Sequence, residues 1–258
     1  MNTTRQTHLP VYDHRPGAGP TLVFPHYWGG SARTWDLLVS RLADRDTLAV
    51  DFRGWSRSKT LPGPYTLEQL ADDTLAVLAD AAVTDYVLVG HSMGGKVAQL
   101  VAAARPVGLR GVVLVAPGPA EPAPQITDQY RETLSHAYDS AESVAGARDH
   151  ILTATELPAP VKAQIAADSR NVTEAARAEW PLRGIAQDIT RHTRSISVPA
   201  LVIAGANDQV EPVDVLRANL LPYLSRAEFT VLPHTGHLIP VEAPADLADA
   251  LTAFAPAA

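Results

Sequence analysis

The chain of 258 residues contains no cysteine, which excludes disulfide bonds, thiolate catalysis and cysteine-ligated zinc. Charged residues make up only 19% of it, the net charge is −7, and no basic cluster suited to nucleic acid or anionic membranes occurs. No apolar run approaches the roughly 20 residues of a membrane span. The polar residues 1–8 lack the apolar core of a signal peptide. These absences predict a cytoplasmic protein without nucleic-acid or membrane partners.

Apolar residues make up 46% of the chain, enough for a sizeable core in one domain or in a core with an insertion. Short apolar, β-branched runs alternate with helical patterns. The strand candidates are 21–25, 47–52, 86–90, 111–116, 200–205 and 228–232, and a weaker run at 7–12 predicts an edge strand. This alternation predicts an α/β fold with a mostly parallel, doubly wound sheet.

The alternation is interrupted between the strand candidates at 111–116 and 200–205. A stretch rich in proline follows residue 117, and helical patterns cover 125–137, 140–154, 159–168 and 172–179. We therefore expect a core domain made of 1–117 and 196–258, with a helical cap or lid at 118–195 inserted after the sixth core strand. Open α/β sheets bind ligands at the carboxyl ends of their strands, so the lid is expected over that edge.

A glycine-serine motif lies between an apolar run and a helical pattern. Residues 90–94 read Gly-His-Ser-Met-Gly, after the run 86–89 and before the helical stretch 95–105. A serine on so sharp a strand-to-helix turn has a strained backbone, and glycines two residues away on each side avoid clashes. The following helix directs its first N–H groups at whatever the serine attacks. Ser92 is therefore the candidate nucleophile.

A serine nucleophile needs a base that accepts its proton. Of the nine histidines, His237 follows the last strand candidate and precedes the last helical pattern, which predicts a place beside Ser92 at the sheet edge. His234 is the local competitor. The spacing of these two histidines also resembles a metal pair, but a metal would need further ligands and the chain has no cysteine. His237 is the candidate base.

The base in turn needs an acid that orients it. Asp208 follows the strand candidate at 200–205 by three residues and is the candidate acid. Glu211 on the same loop and Glu121 after the preceding strand candidate remain alternatives. The chain order serine, aspartate, histidine is the order of the α/β-hydrolase arrangement.

An anionic tetrahedral intermediate needs preorganised N–H donors. The backbone N–H of Met93, directly after the nucleophile, is one candidate. The N–H of Trp28 is the other, because residues 25–31 form the loop after an early strand and contain two adjacent glycines. The expected pocket residues are Tyr27, Trp28, Met93 and Trp180. An Arg–Asp pair within residues 51–58 is expected to brace the loops beside the site.

With these residues assigned, the chain resembles the α/β-hydrolase fold superfamily, in particular its capped serine esterases, cofactor-free haloperoxidases and lactonases. The resemblance covers nearly the whole chain outside the helical insertion. Its motifs are residues 90–94, His26 with Gly29-Gly30, Asp51-x-Arg53-Gly54, Gly205-x-x-Asp208 and Gly236-His237. It implies Ser92, Asp208 and His237 as the triad, with Trp28 and Met93 as oxyanion donors. The chain departs from the family pattern at Tyr27 and Ser56, where glycine is usual.

The sequence thus predicts a serine hydrolase that cleaves a carboxylic ester or lactone through an acyl-enzyme on Ser92. Alternatives on the same scaffold are a cofactor-free perhydrolase or oxygenase and a carbon–carbon bond hydrolase. A small-molecule receptor that kept the triad is the alternative outside catalysis. We expect no metal and no cofactor, a small apolar ester or lactone as the ligand, and a monomer or homodimer.

Overall fold

Residues 9–255 are described by a computed structural model of the chain. They form a sheet of seven strands in the order β1-β3-β2-β4-β5-β6-β7. The strands are β1 (Tyr12–Arg15), β2 (Ala18–Pro25), β3 (Arg45–Val50), β4 (Tyr86–His91), β5 (Leu109–Val115), β6 (Ala200–Gly205) and β7 (Ala227–Leu232). β1 pairs antiparallel with β3, and the other neighbours pair in parallel. The predicted α/β fold with a mostly parallel sheet is confirmed.

The N-terminal edge strand lies a few residues later than expected. The sequence places it at 7–12, of which residues 7 and 8 lie outside the described residues, whereas β1 begins at Tyr12. Most of β1 is exposed, so its sequence carries none of the apolar pattern that marks the central strands. β4 and β6, by contrast, are buried along their whole length.

Helices cover both faces of the sheet. In the range 9–255 the α-helices are α1 (Asp36–Val39), α2 (Leu67–Asp80), α3 (Met93–Ala103), α4 (Asp128–Ser135), α5 (Ala141–Ala147), α6 (Ala159–Arg170), α7 (Glu174–Leu182), α8 (Thr190–Thr193), α9 (Val213–Asn219), α10 (Ile239–Glu242) and α11 (Pro244–Phe254). A π-helical turn, Arg148–Leu152, continues α5. None of the helices in the described range is long and apolar enough to cross a membrane.

Successive residues of the central strands face opposite sides of the sheet, as the period of a strand requires. Leu88 of β4 packs in one buried cluster with Leu70 and Val97 from α2 and α3. Its neighbour Val87 belongs to a second cluster on the other face, which includes Leu247 of α11. This two-sided burial explains why the strand sequences read as continuous apolar runs rather than alternating ones.

Residues 118–195, which we call the helical segment, contain α4 to α8 and separate β5 from β6. Their helices agree in number and approximate position with the four helical patterns of the sequence, apart from the short α8. The segment follows the fifth strand of the described chain and not the sixth, because only four strands precede β5 there. The expected division into a core domain and a cap stays a prediction.

Candidate active site

Ser92 lies on the turn between β4 and α3 with φ 53° and ψ −116°. A non-glycine residue in such a conformation is strained by about 1–3 kcal/mol. A Cβ atom added at Gly90 would lie 2.3 Å from the Gly94 carbonyl oxygen, and one added at Gly94 would lie 2.4 Å from the Pro25 carbonyl oxygen. Glycine at both positions therefore allows strand, helix and the loop after β2 to pack closely enough to maintain the strained serine.

His237 and Asp208 form a buried hydrogen-bonded pair, with 2.9 Å between Nδ1 and Oδ2. The other carboxylate oxygen accepts the Val210 and Glu211 N–H groups at 2.8 and 3.0 Å. Burial by itself raises the pKa of Asp208, but His237 and these N–H donors outweigh it, and the net shift is downward. An ionised Asp208 keeps the imidazole proton on Nδ1 and leaves Nε2 as the acceptor.

Ser92 and His237 line one cavity. No hydrogen bond joins the Ser92 hydroxyl to the imidazole anywhere in the range 9–255, and contacts of this kind commonly tighten only when a substrate binds. His91, inside the serine motif, positions the loop of the base: its Nε2 lies 2.8 Å from the His237 carbonyl oxygen. Burial lowers the pKa of His91 to about 3. His91 is therefore a neutral donor to that carbonyl at neutral pH.

The loop after β2 is shaped by His26. Its Nδ1 lies 2.6 Å from the Tyr27 carbonyl oxygen, and its Nε2 accepts the Phe52 N–H at 3.1 Å, so the ring proton is on Nδ1. In a trans peptide the carbonyl and the following N–H point in opposite directions. The Trp28 N–H is therefore directed away from His26. Neither this N–H nor that of Met93 has an acceptor in the described part of the chain, which leaves both available to an anionic oxygen.

The helical segment fixes the same loop from the other side. The Trp28 indole donates to the Arg177 carbonyl at 2.9 Å, and the Ser169 hydroxyl donates to the Gly29 carbonyl at 3.0 Å. The Trp28 and Tyr138 rings stack with their centroids 4.2 Å apart. The helical segment and the loop after β2 are therefore packed as one unit.

Arg–Asp pairs brace the neighbouring loop, as expected. The Arg57 guanidinium lies 2.5 Å from Asp51 Oδ2, and Asp51 Oδ1 accepts the Ala32 N–H at 2.7 Å. Arg53 forms a second, two-pronged pair with Asp73. These contacts connect the loops after β2 and β3.

The cavity above Ser92 has a volume of about 370 Å³. Its walls include Tyr27, Trp28, Ser92, Val210, Glu211 and His237 from the core and Tyr130, Leu134, Tyr138, Ile151, Leu152, Trp180 and Ile185 from the helical segment. Of the four expected pocket residues, Tyr27, Trp28 and Trp180 line it. Met93 does not: its side chain is part of the apolar core beneath the turn, because the first residue of α3 points into the sheet packing.

The tyrosine and leucine walls were not expected from the sequence. Residues 130, 133, 134, 137 and 138 all line the cavity, and their spacing is that of one helical face. That periodicity identifies a buried face in the sequence. It does not show that the face covers the carboxyl ends of the strands.

The two alternative acids occupy different surroundings. Glu121 accepts a hydrogen bond from the Tyr223 hydroxyl and is not among the residues that line the cavity. Glu211 lines the cavity, but its contact with the pair is a backbone one, through its N–H to Asp208. The carboxylate that contacts the imidazole is that of Asp208.

Glu211 and Lys96 are buried groups whose charged forms are disfavoured. Burial raises the pKa of Glu211 well above its ordinary value, Asp208 raises it further, and Lys96 partly offsets the rise. Burial lowers the pKa of Lys96 to about 8. The Lys96 ammonium donates to the Ile185 carbonyl at 3.3 Å and lies 6.0 Å from the centre of the Trp180 ring.

Replacement of Glu211 by leucine is expected to stabilise the fold more at pH 8 than at pH 4, because burial raises the pKa of this carboxyl. Below its ordinary pKa of 4.5 the carboxyl is protonated in both folded and unfolded chains. As the pH rises above that value, the unfolded chain loses the proton first, so the wild type loses stability. Urea unfolding of both proteins at the two pH values measures the difference. An equal effect at both would contradict a protonated Glu211 in the folded chain.

No group of three or more histidine, aspartate or glutamate side chains suited to a metal ion is present between residues 9 and 255. His234 is exposed. The reactive groups brought together beside the cavity are Ser92, His237 and Asp208, together with the two unbonded N–H groups.

Comparison with known protein families matches residues 16–250 to the Alpha/beta hydrolase family. One relative is a pimeloyl-[acyl-carrier protein] methyl ester esterase of Pseudoalteromonas atlantica, 32% identical over 46% of this chain and 43% of its own. Another is a non-heme haloperoxidase of Rhodococcus erythropolis, 26% identical over 86% of each chain. The chain spans 41% to 63% of the length of three of the curated relatives that it matches.

Among solved structures, an esterase from Exiguobacterium antarcticum superposes with a TM-score of 0.86 at 19% identity, covering 94% of both chains. At that identity the similarity concerns the fold. The family match confirms the resemblance to the α/β-hydrolase superfamily that the sequence motifs predicted.

Proposed function

The chain belongs to the alpha/beta hydrolase family, and on this basis we propose that it is a serine hydrolase that cleaves a carboxylic ester or a lactone. The observation that carries the proposal is the convergence of Ser92 and the hydrogen-bonded His237–Asp208 pair on one cavity. Acyl transfer by serine requires a nucleophile, a base and an orienting acid in one place. The methyl ester esterase among the relatives supports an ester as the substrate.

In the acylation half of the proposed reaction, His237 Nε2 accepts the Ser92 hydroxyl proton while the hydroxyl oxygen attacks the acyl carbon. The tetrahedral intermediate places its negative oxygen between the N–H groups of Trp28 and Met93. Two preorganised donors of this kind contribute several kcal/mol to stabilisation of the transition state. The protonated His237 then gives its proton to the alcohol oxygen, the ester bond breaks, and the acyl group remains on Ser92.

In the deacylation half, His237 accepts a proton from water, and the resulting hydroxide attacks the acyl carbon. The same two N–H groups receive the second oxyanion. His237 returns a proton to the Ser92 oxygen as the free acid leaves. Asp208 stabilises the imidazolium in both halves because its carboxylate faces Nδ1. With a lactone, the alcohol and the acid leave as one hydroxy acid.

The helical segment acts in this proposal as a cap that sets substrate size. It supplies most of the apolar walls and is joined to the loop after β2 through Trp28 and Gly29. A cap of this kind excludes water from the acyl pocket, which strengthens the electrostatic effect of the donors. A cytoplasmic location and a monomeric or homodimeric state stay predictions.

A perhydrolase activity is the second candidate. It is favoured because one relative, which aligns with 86% of this chain, is named as a non-heme haloperoxidase, and a peroxidase uses a peroxide. It would use the same acyl-enzyme, with hydrogen peroxide in place of water, and release a peracid. The ratio of peracid to acid formed from one ester in the presence of peroxide measures how far this route competes.

A fluorophosphonate probe tests the proposed nucleophile. The wild type is expected to gain one probe, as the Ser92 oxygen displaces fluoride from phosphorus, and S92A is expected to gain none. Intact mass spectrometry reads the result, and circular dichroism confirms that both proteins are folded. Equal labelling of S92A, or no labelling of a folded wild type, would contradict the proposal and favour the receptor alternative.

A further inference from the structure

Glu211 is a buried carboxyl group that the proposed reaction does not use. It is 5% exposed and lines the cavity together with Ser92 and His237. Its backbone N–H donates to Asp208 at 3.0 Å, which fixes its main chain beside the triad. Its carboxyl oxygens have no hydrogen-bond partner in the part of the chain that the structure describes. The side chain therefore faces the cavity with its hydrogen-bonding capacity unused.

An unpaired polar group of this kind is costly inside an apolar site. A polar group that has no hydrogen-bond partner at an apolar wall destabilises the protein until a partner reaches it. Most of the other residues that line the cavity are apolar or aromatic, such as Val210, Ile185 and Tyr130. A ligand that brings a hydrogen-bonding atom to this wall satisfies the carboxyl, whereas an entirely apolar ligand leaves it unsatisfied.

The charged groups around Glu211 determine which kind of ligand group can bind to its carboxyl. Asp208 is close enough to disfavour a second negative charge on Glu211, and Lys96, a fully buried cation, only partly offsets this effect. A neutral carboxyl has one O–H donor and one carbonyl acceptor. A hydroxyl complements it, because a hydroxyl also both donates and accepts a hydrogen bond.

We propose that Glu211 is the specificity-determining residue of this cavity, and that the preferred substrates are esters or lactones that carry a free hydroxyl group hydrogen-bonded to its carboxyl. The inference rests on the proposed ester hydrolysis, because it assumes that the reacting carbonyl lies at Ser92. It adds a requirement on the substrate that the triad alone does not impose. Glu211 acts here by binding and takes no proton from the reacting atoms.

Matched ester pairs test this requirement. p-Nitrophenyl hexanoate is compared with its 3-hydroxy and 6-hydroxy analogues, and butyl hexanoate with 4-hydroxybutyl hexanoate. These pairs place the hydroxyl in either half of the ester. For the wild type we expect kcat/KM to be about 10- to 100-fold higher for at least one hydroxylated ester than for its parent. E211L should reduce that ratio to within about threefold of unity, because leucine neither donates nor accepts a hydrogen bond.

E211Q is the matched control, since glutamine has the same size and keeps one carbonyl acceptor and an N–H donor. It should retain most of the preference. A ratio that is unchanged in E211L, or a wild type that prefers none of the hydroxylated esters, would overturn the inference while the hydrolysis itself stands. If the wild type cleaves no ester in the panel, the proposed function fails and the inference fails with it.

Discussion

Replacement of His237 by asparagine is expected to lower kcat for ester hydrolysis by about 10⁶-fold. The asparagine amide can still donate to Asp208, but it has no nitrogen that accepts a proton from the Ser92 hydroxyl. Without the base, neither the serine nor the water of deacylation is activated, and the residual rate comes from the oxyanion donors and from binding. The measurement is the turnover of a p-nitrophenyl ester at saturation, with fold integrity monitored by circular dichroism.

His234 offers a matched control three residues away. It is exposed, and its φ of 56° lies in the left-handed region, which asparagine tolerates better than most residues. H234N should therefore fold normally and keep kcat within about threefold of the wild type. If H237N retained more than a few percent of the activity, or if H234N lost as much, the assignment of the base would be wrong.

The central part of the fold follows from the sequence because local and global signals agree there. The runs around Leu88 and Val202 are mainly apolar, and both strands are buried at every position, a pattern typical of strands covered on both faces. The turn at Ser92 is also predictable from the sequence, because the two glycines that flank it are needed there. A Cβ added at Gly90 or Gly94 would lie only 2.3 or 2.4 Å from a backbone oxygen. The positions of Asp208 and His237 at strand ends then bring them to the edge where Ser92 lies.

Features that depend on packing between distant segments could not be read from the sequence. The helical spacing of Tyr130 and Leu134 marks a buried face, yet only the fold determines that this face covers the cavity. Met93 is the opposite case: it directly follows Ser92 in the sequence, but its side chain lies in the buried core cluster and does not line the cavity. The loop position of Glu211 identifies it in the sequence as a rival acid. Only the structure shows that its carboxyl lines the cavity without a hydrogen-bond partner among the described residues.

Replacement of Asp208 by asparagine is expected to lower kcat by about 10⁴-fold. The variant keeps the size of the side chain and an oxygen for the N–H groups of Val210 and Glu211, so the loop should hold its shape. Its amide NH₂ then faces His237 Nδ1, which must become an acceptor, and the ring proton moves to Nε2. An imidazole protonated on Nε2 cannot accept the proton of Ser92. Single-turnover acylation measured with a p-nitrophenyl ester isolates this step.

The two rival carboxylates provide the comparison that decides the acid. E121Q changes a side chain that accepts from Tyr223 outside the cavity, so its kcat should stay within about threefold of the wild type. E211Q alters the cavity wall, but Glu211 does not contact the imidazole. We therefore expect the factor by which E211Q lowers kcat to be at least about 100-fold smaller than the factor for D208N. If E211Q matched D208N, the orienting charge would reside on Glu211, and the 2.9 Å contact between His237 and Asp208 would be structural rather than catalytic.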